Sequence, residues 1–188
     1  GWSDSQVGFI FSSFYLGYML TMALGGYLSD KFGGKRVLGW GVVLWSIFTI
    51  LTPLAAHNGF FALFFIRILM GIGEGVTFPA WHSLYARWIP FNERTRAIAF
   101  TNSGVSVGTI IGYIGTQMII LAMGWEWAFY IFGIVGLVWF IFWNRNVTSY
   151  PNEHKRISAE ELAYIQENAP SSEPTRRYAI SDAVFCLK

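Results

Sequence analysis

The sequence predicts an all-α membrane protein with five transmembrane helices followed by a polar tail. Of its 188 residues, 54% are hydrophobic and 13% are charged, whereas a soluble domain carries about 25% charged residues. Five stretches reach the roughly 20 mainly apolar residues that a membrane-spanning helix needs. These predicted helices cover residues 7–28, 37–55, 60–86, 97–123 and 127–144.

The distribution of cationic residues supports these helices and predicts their orientation. Of the 13 Lys and Arg residues, only Arg67 lies inside a predicted helix, and the others follow every second apolar stretch. Loops rich in Lys and Arg remain on the cytoplasmic side of a membrane. We therefore predict an integral, multi-pass membrane protein in which Lys31, Arg94 and Lys155 are cytoplasmic, while His57 and Gly124 face the opposite side. The sequence does not indicate which membrane holds it.

The composition changes abruptly after the fifth stretch. We predict a transmembrane bundle over residues 1–145 and a cytoplasmic interdomain linker over residues 146–188. Within the linker, Ser158 and Glu161 have the spacing of a capping box, which predicts a short helix over residues 159–168. The chain begins with Gly instead of Met, and its hydrophobicity rises again just before its last residue. We expect it to be part of a longer protein.

Several classes of function are disfavoured. The formal net charge of +2 is small, and the cations flank predicted helices, so we expect no nucleic-acid partner. Cys186 is the single cysteine, which excludes an intrachain disulfide. His57, His82 and His154 are widely spaced and no His-Glu-x-x-His motif is present, so we predict no metal, no catalytic residue and no enzymatic activity.

The first cationic gap contains a specific motif. Residues 25–36 read GGYLSDKFGGKR. Glycines permit close backbone approach, and Asp30 is placed to meet either a helix N-terminus or a basic partner. The segment resembles the signature loop between the second and third helices of the major facilitator superfamily. The resemblance implies a role in conformational gating for Gly26, Asp30, Lys31 and Arg36.

The third apolar stretch narrows the resemblance. It carries Arg67, Gly71, Gly73, Glu74, Gly75, Pro79 and His82, and the motifs RWIP and ERTRA follow it. This pattern is similar to the anion:cation symporter family, over residues 1–165. The resemblance implies the N-terminal half-bundle of an alternating-access carrier, with helices two to six of twelve. A missing first helix and a C-terminal half would then be partners within the same protein.

Arg67 and Glu74 are the only formally charged residues in the predicted helices. They are seven residues apart, so they project from nearly the same helix face. A charge at the centre of a bilayer costs at least about 2.5 kcal/mol, which favours a partner or an aqueous cavity. The resemblance implies anion binding by Arg67 and proton coupling by Glu74. The alternatives are a structural pair, an arginine that reaches the interface, or a carboxyl that stays protonated.

Two further positions are candidates. His82 lies near the cytoplasmic end of its helix and its imidazole can titrate near neutral pH, so it is either a second proton-coupling residue or a packed interfacial one. Tyr15 is the better substrate-pocket candidate among neutral hydrogen-bonding groups of the first helix, which line a cavity or bond backbone carbonyls. The other members of this set are Ser12, Ser13, Tyr18 and Thr21.

Together these features predict a secondary active transporter of an organic or inorganic anion, such as phosphate, sialic acid or another carboxylate. H⁺ or Na⁺ would drive transport by alternating access. The expected partners are a small anionic substrate and the lipid bilayer, with no cofactor beyond the coupling ion. The alternative is a receptor or sensor on a transporter scaffold that has lost transport.

Overall fold

In the computed structural model, residues 2–168 are described and form seven α-helices with one short 3₁₀ turn. The helices are α1 (Asp4–Phe32), α2 (Gly34–Asn58), α3 (Phe60–Gly75), α4 (Thr77–Trp88), α5 (Arg94–Met123), α6 (Trp125–Asn146) and α7 (Ala159–Asn168), and the 3₁₀ turn is Pro151–Glu153. Five segments are long and apolar enough to cross a bilayer, one of them formed by α3 and α4 together. The predicted all-α fold with five spans is therefore confirmed. Residues 169–188 of the predicted linker, which include Cys186, lie outside the described residues.

Single glycines make three of the turns between helices. Gly33, Gly59 and Gly124 have φ values of 85°, 105° and 102°, a region that residues with a Cβ rarely adopt. Each glycine therefore reverses the chain without a longer loop. Residues 29–36, which were predicted to connect the first two helices, are helical except at Gly33, because α1 and α2 continue up to this one residue.

The third span is broken at Val76. Pro79 has no backbone N–H, so it cannot donate the helical hydrogen bond to the carbonyl of Gly75. The next helix starts one residue later, and the Ala80 N–H donates to the Val76 carbonyl at 3.0 Å. The break places Glu74 in the last turn of α3 and His82 in α4.

Helix packing leaves much apolar surface exposed. α1 packs along α3, and α2 packs against both α3 and α6. One small core, formed by Leu38, Val42, Ala80 and Leu84, joins α2 to α4. α5 contacts mainly α6 and has no buried residue. Lipid tails are as apolar as these exposed side chains, so the arrangement suits a bilayer.

The predicted helix in the tail is present with the expected bounds. The Glu161 N–H donates to the Ser158 hydroxyl at 3.1 Å, which caps the start of α7. This helix is docked, because Ile165 is buried and the Tyr164 hydroxyl donates to the Glu93 carboxylate at 3.0 Å. α7 is therefore attached to the connection between α4 and α5.

Candidate functional site

Arg67 lies within an apolar span, on a helix that packs along α1. Its guanidinium carbon is 5.5 Å from the ring centre of Phe11 and 5.7 Å from that of Phe14. Aromatic faces at this distance attract a cation without accepting its hydrogen bonds as an oxygen would. The Nε atom of Arg67 is buried and has no hydrogen-bond partner among residues 2–168. The arrangement holds the cation in place and leaves one of its buried N–H donors unpaired within residues 2–168.

Glu74 lies two helical turns from Arg67 and is half-buried. The two charges are within electrostatic range of each other. Within the described part of the chain, however, no Lys, Arg or His nitrogen lies within 4.0 Å of the Glu74 carboxylate. Helix carbonyl groups at the C-terminal end of α3 also disfavour a negative charge there. Glu74 can therefore gain or lose a proton without breaking a salt bridge.

Two tyrosines of α1 stand opposite these charges. Tyr15 is within electrostatic range of Arg67, and Tyr18 is within range of Glu74. Tyr15 is 61% exposed, whereas Tyr18 is half-buried. The sequence analysis preferred Tyr15 within this set, and the structure places Tyr18 within electrostatic range of the Glu74 carboxyl.

Two of the other polar groups on α1 bond their own helix. The Ser13 hydroxyl donates to the Ile10 carbonyl at 2.8 Å, and the Thr21 hydroxyl donates to the Gly17 carbonyl at 3.0 Å. The polar groups of α1 were predicted either to line a cavity or to bond backbone carbonyls. Ser13 and Thr21 do the second. Their hydroxyls therefore bond α1 itself rather than extending the site.

Glycines bring the backbones of α1 and α3 into direct contact. A Cβ on Gly71 would overlap the Phe14 carbonyl oxygen, and one on Gly17 would overlap the Ile68 carbonyl oxygen. Gly75 likewise lies against the Tyr18 carbonyl. Small residues that permit such contact are typical of membrane helix pairs. This packing fixes the distance between Arg67 and the rings that flank it.

His82 lies on the exposed side of α4, after the break that follows Glu74. Its Nδ1 donates to the Phe78 carbonyl at 2.8 Å, because a carbonyl oxygen only accepts. The ring centre is 6.3 Å from that of Tyr85. Nε2 forms no hydrogen bond within residues 2–168. The coupling role of His82 stays a prediction.

A second group of charges lies where α1, α4 and the segment after α6 meet. The Asp30 carboxylate is 3.9 Å from Nη2 of Arg87, and the Arg87 guanidinium lies 4.6 Å from the ring centre of Tyr150. Of the two partners expected for Asp30, the structure supplies the basic one. Arg87 and Tyr150 were missed as site residues. The RWIP motif contains Arg87, but sequence spacing does not reveal its contact with α1.

The paired glycines before Asp30 have different environments. Gly26 is exposed, and a Cβ added there would meet no atom within 4 Å. A Cβ on Gly25 would lie 2.9 Å from Pro79. Gly25, which was not among the predicted gating residues, therefore sets the separation of α1 and α4 at this point.

Lys31 and Arg36 lie on either side of the turn at Gly33. The Lys31 ammonium is 5.8 Å from the Tyr27 ring centre and 5.4 Å from that of Phe32. Arg36 is exposed in the first turn of α2. Neither residue contacts the Arg67 region directly, and their gating roles stay predictions.

A contact between a histidine and a carboxylate at the other end of the bundle was also missed. His57 Nε2 lies 2.6 Å from the Glu126 carboxylate and links the end of α2 to the start of α6. Both side chains are well exposed. Among residues 2–168, no three His, Cys, Asp or Glu side chains come together as a metal ion would require.

The fold and these intramembrane charges define a multi-pass helical membrane protein. The chain belongs to the Major Facilitator Superfamily, whose sequence model matches residues 1–187. The resemblance inferred from the GGYLSDKFGGKR segment is confirmed.

Curated relatives carry the names of anion transporters. The chain is 47% identical over 174 residues to a probable chloroplastic anion transporter 4 of Oryza sativa subsp. japonica, covering 93% of this chain and 29% of that protein. It is 45% identical to a chloroplastic ascorbate transporter of Arabidopsis thaliana, covering 92% of this chain and 32% of the relative. It is 40% identical to sialin of Homo sapiens, covering 87% and 33% respectively. The chain thus spans about a third of the length of these relatives.

Solved structures share the fold. The proton:xylose symporter XylE, bound to 6-bromo-6-deoxy-D-glucose, gives a TM-score of 0.71 at 19% identity, covering 95% of this chain and 43% of that chain. The inward open conformation of the xylose transporter XylE from E. coli gives 0.67 at 20% identity, covering 97% and 46%. At this identity the likeness shows the fold alone.

Proposed function

We propose that this chain is part of a secondary active transporter of small organic or inorganic anions. Transport would be coupled to H⁺ or Na⁺ and proceed by alternating access. The observation that carries the proposal is the pair Arg67 and Glu74, two ionisable residues within an apolar span and without an ion pair between them. Ionisable residues inside a membrane mark substrate and proton pathways.

The chemistry of Arg67 supports an anionic substrate. A guanidinium presents several N–H donors in a planar fork that matches a carboxylate or phosphate. Its flanking rings, Phe11 and Phe14, attract the cation but leave its donors to an incoming oxygen. Tyr15 is the second substrate contact that we propose. The names of the relatives, which include an anion transporter and an ascorbate transporter, support the same substrate class.

Glu74 is proposed as the proton carrier. Protonation would neutralise the carboxyl while Arg67 is engaged by the anion, and deprotonation would restore the attraction between the two side chains. One bound anion and one proton would then move together. His82 is a second candidate for proton transfer, through its Nε2.

The cluster around Asp30 is proposed to set the balance between inward-facing and outward-facing states. Asp30 and Arg87 join α1 to α4 across the bundle, and Lys31, Arg36 and Gly26 adjoin this contact. An interaction that is present in only one state biases the equilibrium toward that state.

The test is uptake by the full-length protein in proteoliposomes. Labelled phosphate, ascorbate and sialic acid would be offered under imposed pH or Na⁺ gradients, with liposomes lacking protein as the control. Uptake that is accelerated by one gradient supports the proposal and identifies the coupling ion. Saturable binding of an anion with no uptake under either gradient would support the alternative, a receptor or sensor on a transporter scaffold.

A further inference from the structure

A cavity of about 250 Å³ lies beside the turn between α1 and α2. Three cationic residues, Lys31, Lys35 and Arg36, line it, and Glu153 is its one acidic residue. It is closed on the other side by the chain that follows α6, which contributes Ser149. The cavity is separate from the Arg67 region, and its lining carries an excess of positive charge.

Ser149 presents a hydroxyl donor to this cavity. Ser149 is only 8% exposed, yet it lines the cavity. Its hydroxyl oxygen lies against Gly33, where an added Cβ would be 2.6 Å away. Its hydroxyl forms no hydrogen bond within residues 2–168, although the neighbouring Thr148 hydroxyl donates to the Tyr150 carbonyl. The Ser149 hydroxyl oxygen is not one of the fully buried, unpaired side-chain atoms of residues 2–168, so it is open to the cavity and can donate to an acceptor there.

The start of α2 adds to the positive potential. Its first turn contains Lys35 and Arg36 and no acidic residue. The N-terminus of a helix already carries a partial positive charge, so cations are unfavourable there unless an anion is bound. The Lys35 ammonium donates to the Asn144 carbonyl at 2.9 Å, which holds its nitrogen at the rim of the cavity with further N–H groups to spare.

We propose that this cavity binds a phosphomonoester group. Lys35 and Arg36 would neutralise the phosphate, Lys31 would add to the attraction, and Ser149 would donate one hydrogen bond. The cavity lies at the ends of three helices that are long enough to span a bilayer, so it sits at the depth of lipid headgroups. Basic pockets at this depth suit anionic headgroups, and a soluble phosphate presents the same chemistry. This binding does not depend on the proposed transport function.

The experiment measures binding to the purified full-length protein in phosphatidylcholine nanodiscs. The probes are short-chain phosphatidic acid, inorganic phosphate and, as the neutral control, short-chain phosphatidylcholine. The cavity variant is Lys35→Ala/Arg36→Ala. The matched control is Lys155→Ala/Arg156→Ala, which removes the same charge from exposed positions outside the cavity.

We expect the cavity variant to weaken phosphatidic acid binding by about tenfold or more, the loss that follows removal of a charge-assisted hydrogen bond. The control double variant should bind as the unmodified protein does. If inorganic phosphate competes with phosphatidic acid, the site accepts a soluble ligand. If it does not compete, the site is specific for a lipid headgroup. Equal loss in both double variants, or equal binding of phosphatidylcholine, would overturn the proposal.

Lys35 also anchors α2 to α6, so the double variant can lose binding through misfolding. Ser149→Ala avoids this problem, because its hydroxyl bonds no described residue. It should remain monodisperse and weaken phosphatidic acid binding severalfold. Unchanged affinity in Ser149→Ala together with unchanged affinity in Arg36→Ala would show that the cavity is not the site.

Discussion

Among residues 2–168, Arg67 and Glu74 are the charged residues that lie well away from the ends of an apolar span. Arg67 is held by two aromatic rings and keeps an unpaired buried donor, while Glu74 has no cation within 4.0 Å among the described residues. Each side chain is thus retained at a considerable energetic cost without the compensation of an ion pair. This cost is the reason for proposing that Arg67 binds the anion and that Glu74 carries the proton.

Glu74→Gln mimics the protonated carboxyl. We expect net uptake driven by a pH gradient to be lost, while exchange of labelled for unlabelled anion survives, because exchange needs no change in protonation. Both modes are measured in proteoliposomes, on a variant shown to reach the membrane and remain monodisperse. Equal loss of exchange and net uptake would contradict a coupling role and indicate a structural one.

Arg67→Ala should reduce anion affinity by about tenfold to a hundredfold, since a charge-assisted hydrogen bond contributes about 1.5–3 kcal/mol. Arg67→Lys should restore little of it, because a compact ammonium does not reproduce the guanidinium fork. Equilibrium binding of the anion measures both effects, with Arg145→Ala as an exposed control outside the site. Full rescue by lysine would show that charge alone is required.

Asp30→Asn should slow transport with little change in substrate affinity. The pair with Arg87 is long, at 3.9 Å, and Asp30 is 76% exposed, so its contribution is at most about 1 kcal/mol. A bias of that size shifts the balance between two states by about fivefold. Turnover and half-saturation are measured together, with Glu160→Gln on α7 as the control. A large loss of affinity at normal turnover would argue for substrate contact instead.

At the scale of the elements, backbone contact between α1 and α3 holds the site together. Gly17 and Gly71 let each helix touch the carbonyl groups of the other, where no side chain fits. The break at Val76 then separates the helix carrying the two charges from the helix carrying His82. The site geometry therefore depends on glycine and proline positions as much as on charged residues.

Gly71→Ala should destabilise the protein by about 1–3 kcal/mol, the usual cost of forcing a methyl group into a packed contact. Gly26→Ala is the matched control, because a Cβ there meets no atom within 4 Å and alanine favours a helix by about 0.5–1 kcal/mol. The temperature at which half the protein remains monodisperse should fall for the first variant and hold or rise for the second. The same shift for both would mean that α1 and α3 are not in backbone contact.

At the scale of the whole molecule, the charged clusters lie at opposite ends of the spans. Asp30 and the cations around it lie at one end of α1, and the His57–Glu126 pair lies at the far end of α2. The cationic end is predicted to be cytoplasmic. This orientation gives the cavity beside Gly33 access to the cytoplasmic leaflet.

Single cysteines placed at positions 31, 57 and 155 in a Cys186→Ser background test the orientation. A membrane-impermeant reagent added outside intact cells should label position 57 only. Labelling of all three after permeabilisation controls for reactivity. If positions 31 and 57 react from the same side of the membrane, the proposed topology cannot stand.

The sequence by itself determined the five spans, the helix over residues 159–168 and the candidacy of Arg67 and Glu74. These follow from apolar length, a capping box and the cost of charge in a bilayer, all of which are local properties. The resemblance carried by the GGYLSDKFGGKR segment likewise depended only on adjacent residues. The length of the connection between the first two helices was nevertheless predicted wrongly. One glycine with a positive φ, Gly33, suffices for the turn.

Only the tertiary structure decided which residues meet across helices. Three contacts join positions that are far apart in the chain. They are the rings of Phe11 and Phe14 over Arg67, Arg87 beside Asp30, and Ser149 against Gly33. A periodic pattern specifies which face a residue occupies but not which neighbour that face receives. The neighbour is set by where small residues allow two backbones to approach, and that depends on both helices at once.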